Sequence, residues 1–223
     1  PSVHAEYGSE CREQWVVDSG YKLVGIDASG LELRMLAHYM EDEEYTKEVV
    51  DGDIHTKNQL AAGLDTRAKA KTFIYAFLYG AGAKKIGSIT GTNGTVIIDK
   101  FMKNVPALAK LKEKIAVNLR NKGSLPGLDG RRLFIRSEHA ALNTLLQGAG
   151  AVVMKKALVI FDKYIKLHEL DAHFVANVHD EWQLEVKEEE AELVGQLGVK
   201  AIIEAGKALR LNCPLDGEYK VGD

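Results

Sequence analysis

AHFVANVHDEWQLEV, residues 172–186, is the stretch from which the rest of the chain can be read. Residues 172–178 and 182–186 are rich in β-branched and aromatic side chains, and each has the length of one strand. Between them lie His179, Asp180 and Glu181, so the stretch predicts a β-hairpin with these three residues at its tip. An apolar strand here delivers Asp180 to a tight turn. A carboxylate beside apolar flanks costs free energy unless it meets a cation or hydrogen-bond donors. A plain surface turn would show the same pattern.

Just upstream, residues 139–168 have the apolar spacing of one long helix. Its most apolar part, 145–161, is interrupted by Lys155 and Lys156, which predicts a buried core helix and not a membrane span. Residues 188–209 read as a final amphipathic helix. Further upstream, Asp129-Gly130 precedes an alternating run to Arg136, a hairpin signal. Residues 67–79 form a helical segment with Asp65 and Thr66 as capping candidates and Gly80 and Gly82 as stops. Residues 87–94 look like a loop, and two helices follow, the second starting near Pro106. Residues 21–27 predict a strand running into Asp27, residues 31–40 a helix, and Asp53 to His55 the opening of another. Strands and helices mix without strict βαβ alternation, so the predicted class is α+β. No segment reads as an interdomain linker.

The 223 residues carry a net charge of −3, so overall charge does not announce a polyanionic partner. Its distribution is more telling. Residues 99–136 hold ten Lys or Arg against three acids, and residues 41–53 hold seven acids against one Lys. A basic stretch of this kind can track a phosphate backbone, or be a solvated helix face. Cys11 and Cys213 stand far apart, with neither a zinc pattern nor a disulfide framework, which points to a reduced, cytosolic compartment. No signal peptide opens the chain. It begins at Pro1 without Met, as an excised piece would.

Three constellations carry chemistry. The first is DASGLELR, residues 27–34, with an acid at the end of an apolar strand. Such an acid can hold a metal at a sheet edge or cap the next helix. The second is the His179-Asp180-Glu181 turn. Two strand-end carboxylates could together hold a pair of Mg²⁺ ions, which prefer oxygen ligands and retain water and phosphate in their shells. The 153 positions between Asp27 and Asp180 do not themselves establish contact. The third is RAKAKTFIYAFLYG, residues 67–80, which puts Arg67, Lys71, Tyr75 and Tyr79 at successive i+4 steps. On a helix they form one slanting stripe about 18 Å long. Ala70, Phe73, Ile74 and Phe77 form a second stripe that can bury. The first stripe offers two cations for a triphosphate and two rings for a base. An amphipathic helix with a basic face is the plainer alternative.

In order, these blocks match D-x-S-x-x-E-L-R, then R-x₃-K-x₃-[F/Y]-x₃-Y-G, then H-D-E. The chain thereby resembles the family A DNA polymerases over almost its whole length. GIDASGLELR (25–34), GDIHTKN (52–58) and HAALNTLLQ (139–147) look most like the replicative polymerases of short-tailed lytic phages. The resemblance implies part of a right-hand polymerase: an antiparallel-sheet palm at 1–54 and 137–223, and mainly helical fingers at 55–136. The thumb, the first palm segment and a 3′→5′ exonuclease would lie outside these residues.

The same resemblance implies the roles. Asp27 and Asp180 would be the metal-binding catalytic carboxylates, with the Ala28 carbonyl as a further ligand and Glu181 supporting the primer end. The cofactors would be two Mg²⁺, with Mn²⁺ able to substitute. Glu32 would be the steric gate against a ribose 2′-OH. Arg67 and Lys71 would grip the triphosphate, Lys71 also offsetting charge on the leaving pyrophosphate, and His55 would reach a phosphate. Tyr75 would stack at the incoming nucleotide, and a Tyr there implies ready acceptance of dideoxynucleotides. Tyr79 would lie near the templating base. Arg34, His139, Asn143, Gln147 and His179 would contact DNA, although His139 stands where many cellular relatives carry Arg. The expected activity is template-directed addition of dNTPs to a primer 3′-OH. A non-catalytic DNA-binding half of a split polymerase is the alternative. Glu32 and the full 67–79 pattern argue against a single-subunit RNA polymerase or a reverse transcriptase. Implied partners are primer–template DNA, dNTPs, the upstream polymerase half and a processivity factor, with no membrane; the location would be the cytoplasm, that of the host for a phage protein.

Overall fold

A computed structural model describes residues 5–14 and 16–222. In chain order the elements are α1 (Gly8–Arg12), β1 (Tyr21–Ala28), α2 (Leu31–Met40), α3 (Glu43–Val50), α4 (Ile54–Ala62), α5 (Arg67–Leu78), α6 (Ala83–Thr90), α7 (Gly94–Asn104), α8 (Pro106–Lys122), β2 (Ser124–Pro126), β3 (Arg132–Phe134), α9 (Ala141–Leu167), β4 (Ala172–Val178), β5 (Glu181–Lys187), α10 (Ala191–Ala208) and β6 (Gly217–Gly222). The predicted α+β class holds. The chain divides into two compact units. One comprises residues 1–29, 153–209 and 215–223; the other comprises 30–152 and 210–214.

The first unit is built on an antiparallel sheet in the order β4-β5-β1-β6. Alternation along β1 buries Val24, Ile26 and Ala28 on one face and leaves Leu23, Gly25 and Asp27 on the other. On the buried face Trp182 stacks on Phe161 of α9 at 5.3 Å between ring centroids, and Phe161 meets Phe174 edge-on. Helix α10 lies close against the same face. A Cβ added at Gly198 would sit 2.4 Å from Ile26 Cδ1. Strand β6 was not foreseen. Six residues with a glycine at each end give too short an alternation to read, and only pairing with β1 makes them a strand.

The second unit is mainly helical. Of the capping candidates, Thr66 is in place, its Oγ1 accepting from the Lys69 amide at the start of α5; Asp53 caps α4, accepting from the His55 and Thr56 amides. Phe73 and Phe77 of α5 pack against Phe101 of α7 at 5.1 and 5.8 Å between centroids. Of the loop expected over 87–94, residues 91–93 form the connection, while 87–90 end α6 and residue 94 starts α7. Its glycines serve close packing: a Cβ on Gly94 would lie 1.9 Å from the Ala83 carbonyl oxygen and 2.7 Å from the Gly87 amide nitrogen. The acidic segment after α2 also folds, as α3, with Asp42 capping through the Tyr45 amide. The Asp129-Gly130 turn joins β2 to β3 as predicted. Gly130 has φ +82°, a conformation that costs other residues strain.

Among the described residues one helical run, 138–167, has the length and hydropathy to cross a membrane by composition alone. Its side chains Leu142, Leu145, Ala149, Val153, Ala157 and Phe161 are buried. Their 3–4 residue spacing is that of a helix seated in a protein core.

Candidate active site

In the first unit, the apolar strands β1 and β5 bring their acidic ends together. Asp27 pairs in register with Glu181, and the Ala28 amide donates a 2.9 Å hydrogen bond to the Asp180 carbonyl oxygen. The two carboxylate-bearing segments, 153 positions apart in sequence, are therefore neighbours. His179 forms the hairpin turn with φ +52°, the left-handed region that a Cβ disfavours. Asp27, Glu181, Gln183, Glu218 and Lys220 line one shallow hollow of about 420 Å³ on the open sheet face. Glu218 of β6 lies opposite Asp27 in register and was not singled out from the sequence, because β6 itself was not legible.

The donor set suits a hard divalent cation. Among the described residues no three His, Cys, Asp or Glu side chains converge on one point. Asp27 and Asp180 offer carboxylate oxygens of the kind Mg²⁺ takes, an ion that keeps water and phosphate oxygens in its shell.

In the second unit, α5 presents the stripe as predicted. Arg67, Lys71 and Tyr79 are exposed and Tyr75 is half-buried, while Ala70, Phe73, Ile74 and Phe77 are buried. Arg67 Nε donates to Asp53 Oδ2 at 2.7 Å. Hydrogen bonds from Arg67 and Thr56 hold the Asp53 carboxyl well below the usual range. Asp53 thus both caps α4 and engages the first cation of the stripe; from sequence only its helix-opening role was read.

His55 lies with its ring 6.1 Å from that of Tyr75. Burial, then the nearby cations Arg67 and Lys71, push its pKa down. Its Nδ1 is buried without a hydrogen-bond partner. Between α3 and α4, buried Tyr45 Oη donates to buried Asn58 Oδ1 at 3.5 Å, another pair the sequence did not reveal.

At the other end of the stripe, Tyr79 Oη donates to Glu32 Oε1 at 2.8 Å, and Gln147 Nε2 donates to the same oxygen at 3.3 Å. Partial burial and the Glu32 carboxylate push the Tyr79 phenol up to about 12. Three residues expected at the nucleotide or the DNA thus share one hydrogen-bonded group. His139 is exposed in the short 3₁₀ turn before α9, and Asn143 is half-buried on α9. Arg34, expected among the DNA contacts, is buried and donates to the Pro214 carbonyl, tying residues 210–214 to α2.

A sequence model for DNA polymerase family A matches residues 1–223. The chain belongs to that family. It is 42% identical to the DNA-directed DNA polymerase of Escherichia phage T7 and 41% identical to that of Enterobacteria phage T3. Each alignment takes in all of this chain and 36% of the relative. The thermostable DNA polymerase I of Thermus filiformis is 32% identical, over 99% of this chain and 29% of its own length. Among solved structures, the POL domain of Pol1 from M. smegmatis, in complex with DNA primer-template and dNTP, is similar with a TM-score of 0.87 at 25% identity. That match covers 99% of this chain and 43% of the other. The chain spans little more than a third of the length of its phage relatives.

Proposed function

We propose that this chain carries the nucleotidyl-transfer chemistry of a template-directed DNA polymerase, extending a primer 3′-OH with dNTPs. The observation that carries the reading is the joining of Asp27 and Asp180 segments at one end of the sheet, through strand register and the Ala28–Asp180 bond. Asp27, Asp180 and the Ala28 carbonyl would hold two Mg²⁺, or Mn²⁺ in their place. Bound there, the ions would activate an attacking oxygen and offset charge on a leaving one. Glu181 supports the primer end.

The remaining chemistry belongs to side chains. Arg67 and Lys71 neutralise the triphosphate, and Lys71 continues to do so as the pyrophosphate leaves. Arg67 exchanges its Asp53 partner for phosphate. Neutral His55 donates one hydrogen bond to a phosphate oxygen without adding charge. Tyr75 stacks on the incoming base, and its hydroxyl supplies the tolerance for dideoxynucleotides. Glu32, fixed by Tyr79 and Gln147, fills the space a 2′-OH would need. His139, Asn143, Gln147 and His179 contact the DNA, with Arg34 acting on it through the segment it holds. Palm residues are 1–54 and 137–223, and finger residues 55–136. The solved relative, with its primer-template and dNTP, supports DNA and nucleotide as partners. A reduced cytoplasm suits the two unpaired cysteines.

Primer–template binding and nucleotide incorporation measured on one sample test the proposal. Binding with incorporation is expected. Tight binding without incorporation, in the presence of Mg²⁺ and all four dNTPs, would favour the DNA-binding half of a split polymerase.

A further inference from the structure

The short β2–β3 ribbon has a face that none of the assigned functions uses. Along β3 and the two residues after it, Arg132, Phe134 and Arg136 are exposed while Leu133 and Ile135 are half-buried. The period is that of a strand with one face turned outward. Leu133 anchors the other face: a Cβ on Gly148 would lie 3.6 Å from its methyl groups. Phe134 is 78% exposed, an unusual cost for a ring in an ordered ribbon. Arg131 is bound to Asp129, but neither Arg132 nor Arg136 has an ion-pair partner among the described residues. Beside the strand lies a hollow of about 410 Å³ bounded by Leu119, Arg120, Ile135 and Ser137, with room for a nucleobase.

We propose that the Arg132–Phe134–Arg136 face is a binding site for single-stranded DNA, Phe134 stacking on an unpaired base while the two guanidiniums take the flanking phosphates. An aromatic face between cations is the pairing that unpaired nucleic acid selects. A duplex offers no free base face to the ring, and an acidic peptide would leave it without a stacking partner. The choice of DNA as occupant rests on the polymerase reading; the geometry of the face does not.

The test is fluorescence anisotropy of the purified chain with a labelled oligothymidylate of about twenty nucleotides, longer than the site of a typical single-strand module. A blunt duplex of equal length is the control. Phe134→Ala is expected to weaken single-strand binding about tenfold, the loss of one stacked base. It should leave duplex binding unchanged. Phe134→Trp should retain affinity and show quenched indole emission on binding. Arg132→Gln and Arg136→Gln should each reduce the slope of log K against log salt by about 0.7. Single-strand affinity unaltered in Phe134→Ala, or lost equally for both DNAs, would overturn the proposal. Asp180→Asn should bind the oligonucleotide as the parent does. Failure of primer extension with Phe134-dependent binding intact would count only against the catalytic reading.

Discussion

The Ala28 amide and the Asp180 carbonyl oxygen are joined by a 2.9 Å hydrogen bond, which fixes the end of β1 to the β4–β5 turn. The bond needs the turn in its present shape, and that shape holds His179 at φ +52°. A side chain in the left-handed region costs about 1 kcal/mol. Retained strain of this kind belongs with a functional turn. His179→Gly is expected to raise stability in urea by up to about 1 kcal/mol while weakening primer–template binding. A variant that is less stable than the parent would show that the His179 side chain holds the turn.

Glu32 gathers Tyr79 and Gln147. Removing its carboxylate in Glu32→Ala should bring the Tyr79 titration, read by absorbance, down from about 12 while leaving it above the ordinary value of 10.0, because burial remains. The same variant should lose discrimination against ribonucleotides by about tenfold or more, as expected when a close steric and hydrogen-bonded wall is removed. An unchanged phenol titration would contradict the hydrogen bond itself.

Asp53 and Arg67 set an acid dependence. The Asp53 carboxyl is held below its ordinary value of 3.8. Its contribution is therefore present above about pH 4 and is lost as pH falls through the folded value. His55 adds an earlier loss. Its pKa is lowered from 6.5, so the unfolded chain takes up the proton first and the folded state weakens below that pH. Asp53→Asn keeps a good helix cap. It should flatten the thermal-stability curve below pH 4, leave the loss below pH 6.5, and tighten dNTP binding by releasing Arg67. Weaker dNTP binding with the fold intact would mean that Asp53 orients Arg67 and does not compete for it.

Packing of α10 against β1 requires a glycine at 198, where an added Cβ meets Ile26 Cδ1 at 2.4 Å and Phe161 Cζ at 3.2 Å. Gly198→Val should destabilise by about 1–3 kcal/mol or more, through displaced core side chains. A neutral effect in a urea titration would contradict the close approach.

The sequence exposed those features that rest on side-chain period. The β1 and β5 strands, the two stripes of α5 and the long α9 follow from alternation or i+4 spacing within one segment. Helix α6 was missed because Gly87 and Gly94 carry the signature of a loop, and the packing of Gly94 against Ala83 and Gly87 depends on a fold not yet known. Strand β6 was missed because its pairing partner is nearly two hundred residues away. Glu218 went with it. Asp53–Arg67 and Tyr45–Asn58 are side-chain pairings between helices, which no single segment encodes. Asp27 and Asp180 were each legible as strand-end acids, and their adjacency required the sheet.

Primer extension reads out the chemistry proposed for Asp27 and Asp180. Purified parent, Asp27→Asn and Asp180→Asn would be given the same primer–template, Mg²⁺ and dNTPs, with circular dichroism confirming equal folding. Extension by the parent and none by either variant is expected, with primer–template binding retained in all three. Near-parental extension by either folded variant would contradict the proposal.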